Sequence, residues 1–173
     1  MGILIEKLIN EAKEIIVKYP KTKSAILPLA HLAQDNEGYL SKEAMQDIAT
    51  LLDLEEAEVN GTCTFYTMFK FEPVGKLLVS VCTNVTCLVN GGPELLDEIN
   101  DKYKDSKDVT VEEVECLANC DEAPCLQVNY AFHNKVESGS ASEIIEEYLT
   151  EKRVARGISG GHKATQGKVK DND

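Results

Sequence analysis

Four cysteines in two closely spaced pairs are the residues of this chain best suited to chemistry. Cys82 and Cys87 enclose the sequence C-T-N-V-T-C, and Cys116 and Cys120 enclose C-L-A-N-C. Thiolates are soft ligands, and four of them brought together by two loops suit a [2Fe–2S] cluster or a zinc ion. Four protein ligands would leave the metal no open position for a substrate. The pairs therefore predict electron transfer or a structural metal, without a bond-breaking reaction at that metal.

The spacing of the two pairs leaves three kinds of site open. Structural zinc sites use pairs from C-x2-C to C-x4-C, so zinc is compatible with the spacing as well. The chain has six cysteines in all, and in a secreted protein six would suggest three disulfides. Disulfides or unligated thiols are thus the third alternative. The N-terminus does not resemble a signal peptide and the chain is long enough to build a core, so we favour metal ligation.

Strand-like segments precede both cysteine pairs and would position them. Residues 76–82 (KLLVSVC) are an apolar run that ends at the first cysteine, and residues 109–115 carry spaced valines up to the second pair. Neighbouring strands would bring both loops to one edge of a sheet, where four sulfurs can converge. We expect Cys87 and Cys120 to lie in the loops beyond the strands, where small and polar neighbours let backbone N–H groups approach the sulfurs.

The residues before the first strand are predicted to be helical. Apolar residues recur at helical spacing over residues 3–18 and again after Pro20, and no stretch shows strand-like alternation. Ser41 is a suitable N-cap for a helix over residues 42–52, and another short helix is predicted after it, towards Phe69. We therefore predict an N-terminal helical bundle segment at residues 1–72.

After a break at Pro73-Val74-Gly75 the pattern changes to the order β-α-β-β-α. Gly91-Gly92-Pro93 introduces a helix between the first two strands. Residues 126–130 are the third strand, with a hairpin partner after it, and residues 142–149 form a closing amphipathic helix. This order is a reduced thioredoxin-like sheet. The predicted fold class is α+β, with a thioredoxin-like βαββα domain at residues 73–150.

The net charge of −12 disfavours some classes of function. So acidic a chain would repel phosphate backbones, which argues against nucleic-acid binding. No stretch approaches the ~20 apolar residues of a membrane span, and no signal peptide is evident, so we expect a cytoplasmic protein without direct membrane insertion. Residues 151–173 combine glycines with scattered lysines, and we expect a flexible tail there.

The cysteine loops and their surroundings resemble a known family. The sequences C-T-N-V-T-C-L-V-N-G-G (82–92) and V-E-C-L-A-N-C-D-E-A-P-C-L-Q-V-N (114–129) resemble the thioredoxin-like [2Fe–2S] subunit of NADH dehydrogenases, the small flavoprotein partner in complex I. The segments H-L-A-Q-D-N-E-G-Y-L-S-K-E-A-M (31–45) and T-F-Y-T-M-F (64–69) resemble its N-terminal part. The resemblance implies a [2Fe–2S] ferredoxin domain whose cluster is bound by four metal ligands: Cys82, Cys87, Cys116 and Cys120.

The resemblance also implies a function and partners. Members of this family carry single electrons in multi-subunit NAD(P)H-linked oxidoreductases, beside a larger flavin- and NAD(P)-binding iron–sulfur subunit. Such modules occur in complex I, in NAD-dependent formate dehydrogenases and in hydrogenases, including electron-bifurcating ones, where a catalytic hydrogenase subunit is a further partner. The short, acidic chain favours a soluble hydrogenase-type complex, with complex I and formate dehydrogenase as alternatives.

A non-redox function stays open beside these. A four-cysteine zinc module would serve as a scaffold for protein interactions, and its ligand types would be the same. Neither G-x-G-x-x-G nor a Walker motif occurs in the chain, so we do not expect it to bind NAD or flavin, or to catalyse a reaction, on its own.

Two further cysteines, Cys63 and Cys125, depart from the family pattern. Small apolar residues are common at those positions, so we expect both thiols to be buried and to pack as small hydrophobes. Cys125 is close enough in sequence to compete as a ligand if Cys120 is lost. The three histidines show no metal-binding spacing, so a mixed histidine–cysteine cluster is not expected.

Overall fold

Helices form the first part of the chain because its apolar residues recur every three or four positions. The computed structural model describes residues 2–153. Within them a helical unit spans residues 2–73, and a second unit begins at Val74. The helix predicted at residues 3–18 is interrupted after Glu6. The helices of the first unit are α1 (Ile3–Glu6), α2 (Ile9–Ile16), α3 (Ile26–Glu37), α4 (Lys42–Leu52) and α5 (Glu56–Phe65).

A buried carboxylate on α4 holds the start of the chain. Asp47 accepts hydrogen bonds from the backbone N–H of Gly2 at 2.8 Å and of Ile5 at 3.0 Å. The first N–H groups of a helix have no partner within that helix, so these bonds satisfy donors that would otherwise be unpaired. Ser41 caps α4 as predicted, because its hydroxyl oxygen accepts the N–H of Ala44 at 3.1 Å.

The segment after α5 is held by a buried glutamine, and the helix ends earlier than predicted. The side-chain amide of Gln34 donates to the carbonyl oxygen of Met68 at 3.0 Å. Its oxygen accepts the N–H of Lys70 at 2.7 Å. These backbone groups therefore bond to a side chain instead of continuing a helix, which stops at Phe65.

The apolar faces of the first unit meet in one core. Leu29, Ile48 and Val59, from three different helices, are buried in it together with Cys63. Cys63 has no exposed surface, which confirms that this thiol packs as a small hydrophobe. Burial raises the pKa of the Cys63 thiol to about 11.

A four-stranded sheet and α-helices form the second unit. Their bounds are β1 (Leu77–Cys82), α6 (Val85–Val89), α7 (Gly92–Tyr103), β2 (Val109–Val114), β3 (Leu126–Val128), β4 (Ala131–His133) and α8 (Ser140–Leu149). The strand order is β2-β1-β3-β4, with β1 and β2 parallel and the other two pairs antiparallel. A parallel pair needs a crossover connection, which α6 and α7 supply. The α+β class and the predicted hairpin of the last two strands are confirmed.

The central strand β1 is buried along its whole length. Its alternate residues Leu77, Val79 and Val81 pack in one core with Leu95 and Ile99 of α7. Successive side chains of a strand point to opposite faces, so Cys82 belongs to the other set and joins a separate small cluster of buried residues. The same strand therefore supplies both the core of this unit and the first candidate ligand.

The first domain boundary predicted from the sequence lies close to the end of the first unit. The first unit ends at Pro73, one residue beyond the predicted helical segment, and the division into two domains stays a prediction. The predicted tail at residues 151–173 lies outside the described residues except for its first three. From residue 2 to residue 153, no helix is long and apolar enough to cross a membrane.

Candidate metal centre

The parallel pairing of β1 and β2 brings the two cysteine loops to one edge of the sheet. Cys82, the last residue of β1, lies opposite Val114, the last residue of β2. The Cys82 thiol donates to the carbonyl oxygen of Glu115 at 3.7 Å, and the Thr83 hydroxyl donates to the Glu113 carboxylate at 2.6 Å. The segments that follow the two strands therefore meet, as the sequence predicts.

Cys87 lies in the short helix α6, where the sequence predicts a loop. Asn84 begins this helix, and its side-chain oxygen accepts the N–H of Val85 at 2.6 Å. The helix contains neither glycine nor proline, so nothing in its sequence opposes helix formation. Helical spacing directs Cys87 inward, where it is buried. The other large apolar residues of this helix are exposed: Val85, Leu88 and Val89.

Cys116 and Cys120 form an exposed thiol pair, with their sulfurs 4.0 Å apart. Ala118, between them, adopts a left-handed backbone conformation with φ of 56°. Its N–H donates to the sulfur of Cys116 at 3.3 Å. An N–H group directed at a sulfur stabilises the negative charge that the sulfur carries when it binds a metal. The tight turn between these cysteines therefore supplies both the pairing and a donor.

The structure brings Cys125 beside the first pair, which the sequence does not predict. In the antiparallel pairing of β1 and β3, Val81 lies opposite Leu126, so the next positions along are Cys82 and Cys125. The N–H of Cys82 donates to the carbonyl oxygen of Cys125 at 3.3 Å. The sulfurs of Cys82, Cys87 and Cys125 all lie within 4.8 Å of one another. Only the strand pairing could have revealed this, because 38 residues separate Cys87 from Cys125.

The electrostatics at Cys82 favour its thiolate. Burial by itself would raise the pKa of this thiol. The backbone N–H groups of Leu117 and Asn84 donate to its sulfur, and with the thiols of Cys87 and Cys125 they outweigh burial and lower the pKa. Because Leu117 belongs to the second cysteine loop, this loop directly contacts the first candidate ligand.

Cys87, Cys120 and Cys125 have raised pKa values, for different reasons. Burial raises the pKa of Cys87. At exposed Cys120, the adjacent Cys116 thiol raises the pKa, whereas the hydroxyl of Thr86 opposes the shift. Burial, followed by the nearby Cys87 thiol, raises the pKa of Cys125 to about 12. The Thr86 contact is a second link between the segments that carry the two pairs.

The first turn of α7 lies directly against the backbone of the first cysteine pair. A Cβ atom added to Gly92 would lie 2.6 Å from the carbonyl oxygen of Cys82 and 2.9 Å from that of Cys87. Real Cβ atoms do not approach backbone atoms so closely. Glycine at this position therefore allows the helix and the cysteine segment to come together.

The donor set of this region fits a [2Fe–2S] cluster. Within residues 2–153, the group of side chains placed to hold a metal consists of three thiols, and the second loop adds a further thiol pair. Thiolates, without carboxylate or imidazole groups, are the usual ligands of iron–sulfur clusters. N–H groups already directed at sulfurs would stabilise the negative charge that ligating sulfurs carry. Which four thiols bind the cluster stays a prediction.

Comparisons with known proteins agree with this chemistry. The sequence model described as thioredoxin-like [2Fe–2S] ferredoxin matches residues 12–149. The E subunit of NADH-quinone oxidoreductase from Mycobacterium bovis is 38% identical over 150 residues, covering 83% of this chain and 60% of the relative. The corresponding E subunit from Rickettsia prowazekii is 36% identical over 157 residues, covering 84% of this chain and 88% of the relative. The chain thus spans 60% of the length of the mycobacterial relative.

A solved structure shows the same fold. In a crystal structure of NAD+-reducing [NiFe]-hydrogenase in the air-oxidized state, the similar region has a TM-score of 0.61 and 17% sequence identity. It covers 72% of this chain and 23% of that one. These matches confirm the resemblance that the sequence indicates. The cofactor is a [2Fe–2S] cluster, and its chemistry is electron transfer. The chain belongs to the thioredoxin-like [2Fe–2S] ferredoxin family.

Proposed function

We propose that this chain is the one-electron carrier of a multi-subunit NAD(P)H-linked flavin and iron–sulfur oxidoreductase. The observation that carries the proposal is the meeting, within residues 2–153, of two thiol-bearing segments in a chain of this family. Relatives that are E subunits of NADH-quinone oxidoreductases support an NADH-linked complex. The hydrogenase-type complex, including the bifurcating kind, and formate dehydrogenase stay predictions from the sequence.

We assign the four ligands as Cys82, Cys87, Cys116 and Cys120. When bound, the cluster supplies a centre that gains and loses one electron. Buried Cys82 and Cys87 would shield this centre from water on one side. Exposed Cys116 and Cys120 would leave the other side accessible to a redox partner. The N–H groups of the second loop would stabilise the ligating sulfurs.

Exposed apolar surface beside the centre supports a role within a larger complex. Val85, Leu88 and Val89 expose large apolar side chains on the helix that carries Cys87. Apolar patches of this kind on a protein surface commonly mark interaction sites. The partner we propose is a larger flavin- and NAD(P)-binding iron–sulfur subunit, in the cytoplasm, with a further catalytic subunit where the assembly is a hydrogenase. The chain alone would not catalyse a reaction.

The proposal is tested by low-temperature EPR of the anaerobically purified protein, before and after dithionite, with iron and zinc counted in the same sample. We expect an EPR-silent oxidised form that gains a spin-½ signal on reduction, with two irons per chain. One zinc per chain and no signal, in protein prepared without cluster loss, would instead establish the zinc scaffold. NADH oxidation by the purified chain alone would contradict the assignment as a non-catalytic carrier.

A further inference from the structure

A fifth thiol lies against one of the proposed cluster ligands. The sulfur of Cys125 is 3.8 Å from the sulfur of Cys87, and the residue is only 1% exposed. We propose that the Cys125 thiol donates a hydrogen bond to the Cys87 sulfur and thereby raises the reduction potential of the cluster. This inference rests on the proposed function, because it requires Cys87 to be a ligand.

The backbone around Cys125 fixes its position relative to the ligand. Its carbonyl oxygen accepts the N–H of Cys82 at 3.3 Å, directly beside the paired residues Val81 and Leu126. A shift of Cys125 away from the centre would break this end of the pairing between β1 and β3. The backbone of Cys125 is therefore held beside that of Cys82, at the end of the pairing between β1 and β3.

The direction of the hydrogen bond follows from ligation. Between two free thiols at this distance, either sulfur can donate. Once Cys87 binds iron as a thiolate it has no proton, so only Cys125 can be the donor. Four cysteines complete the ligand set of a [2Fe–2S] cluster, which leaves this fifth thiol free to act as a donor.

The apolar surroundings of Cys87 and Cys125 strengthen the hydrogen bond between them. Three partly buried apolar residues, Val114, Leu117 and Ala123, pack against the buried cysteines. In such surroundings little water competes for the S–H group, and electrostatic interactions are stronger than in solvent. The reduced cluster carries one more negative charge than the oxidised one, so a donor to its ligand stabilises the reduced form more.

The test uses variants that separate the donor from the packing. Cys125→Ala and Cys125→Val remove the donor, and valine also fills the space of the thiol, whereas Cys125→Ser keeps a hydroxyl donor. Cys63→Ala is the matched control, since Cys63 is equally buried but lies in the core of the helical unit. The midpoint potential of the bound cluster is measured by redox titration followed by EPR, with iron counted in each variant.

We expect the Ala and Val variants to keep their iron and to be harder to reduce. The reduced-to-oxidised ratio at a fixed potential should fall about threefold to tenfold, which corresponds to roughly 30 to 60 mV for one electron. The midpoint potential of the Ser variant should lie closer to that of the unmodified protein. The potential of Cys63→Ala should equal that of the unmodified protein. In pulsed EPR of the reduced protein, an exchangeable proton coupled to the cluster should be lost in the Ala and Val variants.

Two results would overturn the inference, and they differ from a failure of the proposed function. Unchanged potentials in both donor-free variants, with full iron content, would show that Cys125 only packs. Loss of iron from both variants, with the fold retained by circular dichroism, would identify Cys125 as a ligand and not a donor. Failure of the function itself would appear earlier, as the absence of a reducible [2Fe–2S] signal in the unmodified protein.

Discussion

Gly92 approaches the carbonyl oxygen of Cys82 so closely that a Cβ atom at this glycine would lie 2.6 Å from it. The atom that would have to give way belongs to the backbone of the first cysteine pair. A side chain at this position therefore cannot be accommodated by a simple change of rotamer. Through this contact, a residue that binds nothing itself controls where a proposed ligand lies.

Replacing Gly92 with alanine should displace the segment that carries Cys82 and Cys87. We expect a loss of about 1–3 kcal/mol in the free energy of unfolding, typical of overpacking, together with a lower iron content. Chemical denaturation and iron analysis measure the two effects. Gly61→Ala is the control, because a Cβ there meets nothing within 4 Å and alanine should stabilise α5 by about 0.5–1 kcal/mol. Normal iron content in Gly92→Ala would contradict this prediction.

Cys116 tests the ligand assignment in the exposed pair. Cys116→Ala should lose most of its iron and its reduced EPR signal, because the remaining cysteine of that pair cannot hold its half of the cluster alone. Cys63→Ala, the buried control, should keep both. Iron content and spin quantification on anaerobically purified protein distinguish the outcomes. An intact cluster in Cys116→Ala would show that another thiol, most simply Cys125, completes the set.

Asp47 should contribute to stability through the two N–H groups that it accepts at the start of the chain. Asp47→Ala leaves the N–H groups of Gly2 and Ile5 without these partners. We expect a loss of about 1–2 kcal/mol in the free energy of unfolding, with faster hydrogen exchange in α1. Glu14→Ala, at an exposed position on α2, should change the free energy little. Equal effects of the two variants would argue against a capping role.

His133 should make stability depend on pH below neutrality. Burial, then the charge of Arg153, lowers its pKa from 6.5 to about 4, and its ring nitrogen is 3.0 Å from the Tyr148 hydroxyl. Well above pH 6.5, His133 is neutral in both the folded and the unfolded state, so it adds no pH dependence in that range. Between pH 6.5 and 4 the unfolded chain binds a proton that the folded chain does not, so stability falls as pH falls.

The measurement is the difference in unfolding free energy between about pH 7.5 and about pH 5, by urea titration under anaerobic conditions. His133→Phe should reduce that difference by about 1 kcal/mol, a value discounted because the ring is partly exposed. The other titrating groups are common to both proteins and cancel in the comparison. An identical pH dependence in the two proteins would refute the role of His133.

Phe65 should contribute to partner binding by the helical unit. Its side chain is 79% exposed and packs edge-on against Tyr66, with the ring centroids 5.2 Å apart. Exposed aromatic residues often anchor interfaces, so Phe65→Ser should reduce co-purification of a flavin-containing partner about tenfold. Val17→Ser is the control, since Val17 is 80% exposed in the same unit. The proteins are purified from cells that make the whole assembly. If the Phe65→Ser variant co-purifies with as much flavin as the unmodified protein, Phe65 is not an anchor.

The sequence by itself determined the periodic elements and the candidate chemistry of this protein. Helical spacing and the Ser41 cap predicted α4, and apolar runs predicted β1 and β2, because these signals depend on neighbours within a few residues. The two cysteine pairs indicated a thiolate metal site for the same local reason. The break of the first helix and the helix α6 around Cys87 were missed, because short apolar stretches suit several conformations.

Only the tertiary structure decided which distant residues meet. Cys125 lies beside Cys87 because β3 pairs with β1 in one antiparallel register, and a shift of one residue would turn its side chain to the other face of the sheet. The close approach of Gly92 likewise depends on how α7 packs on the strands. Such contacts join residues far apart in the chain, and their free energies exist only once the whole sheet has formed.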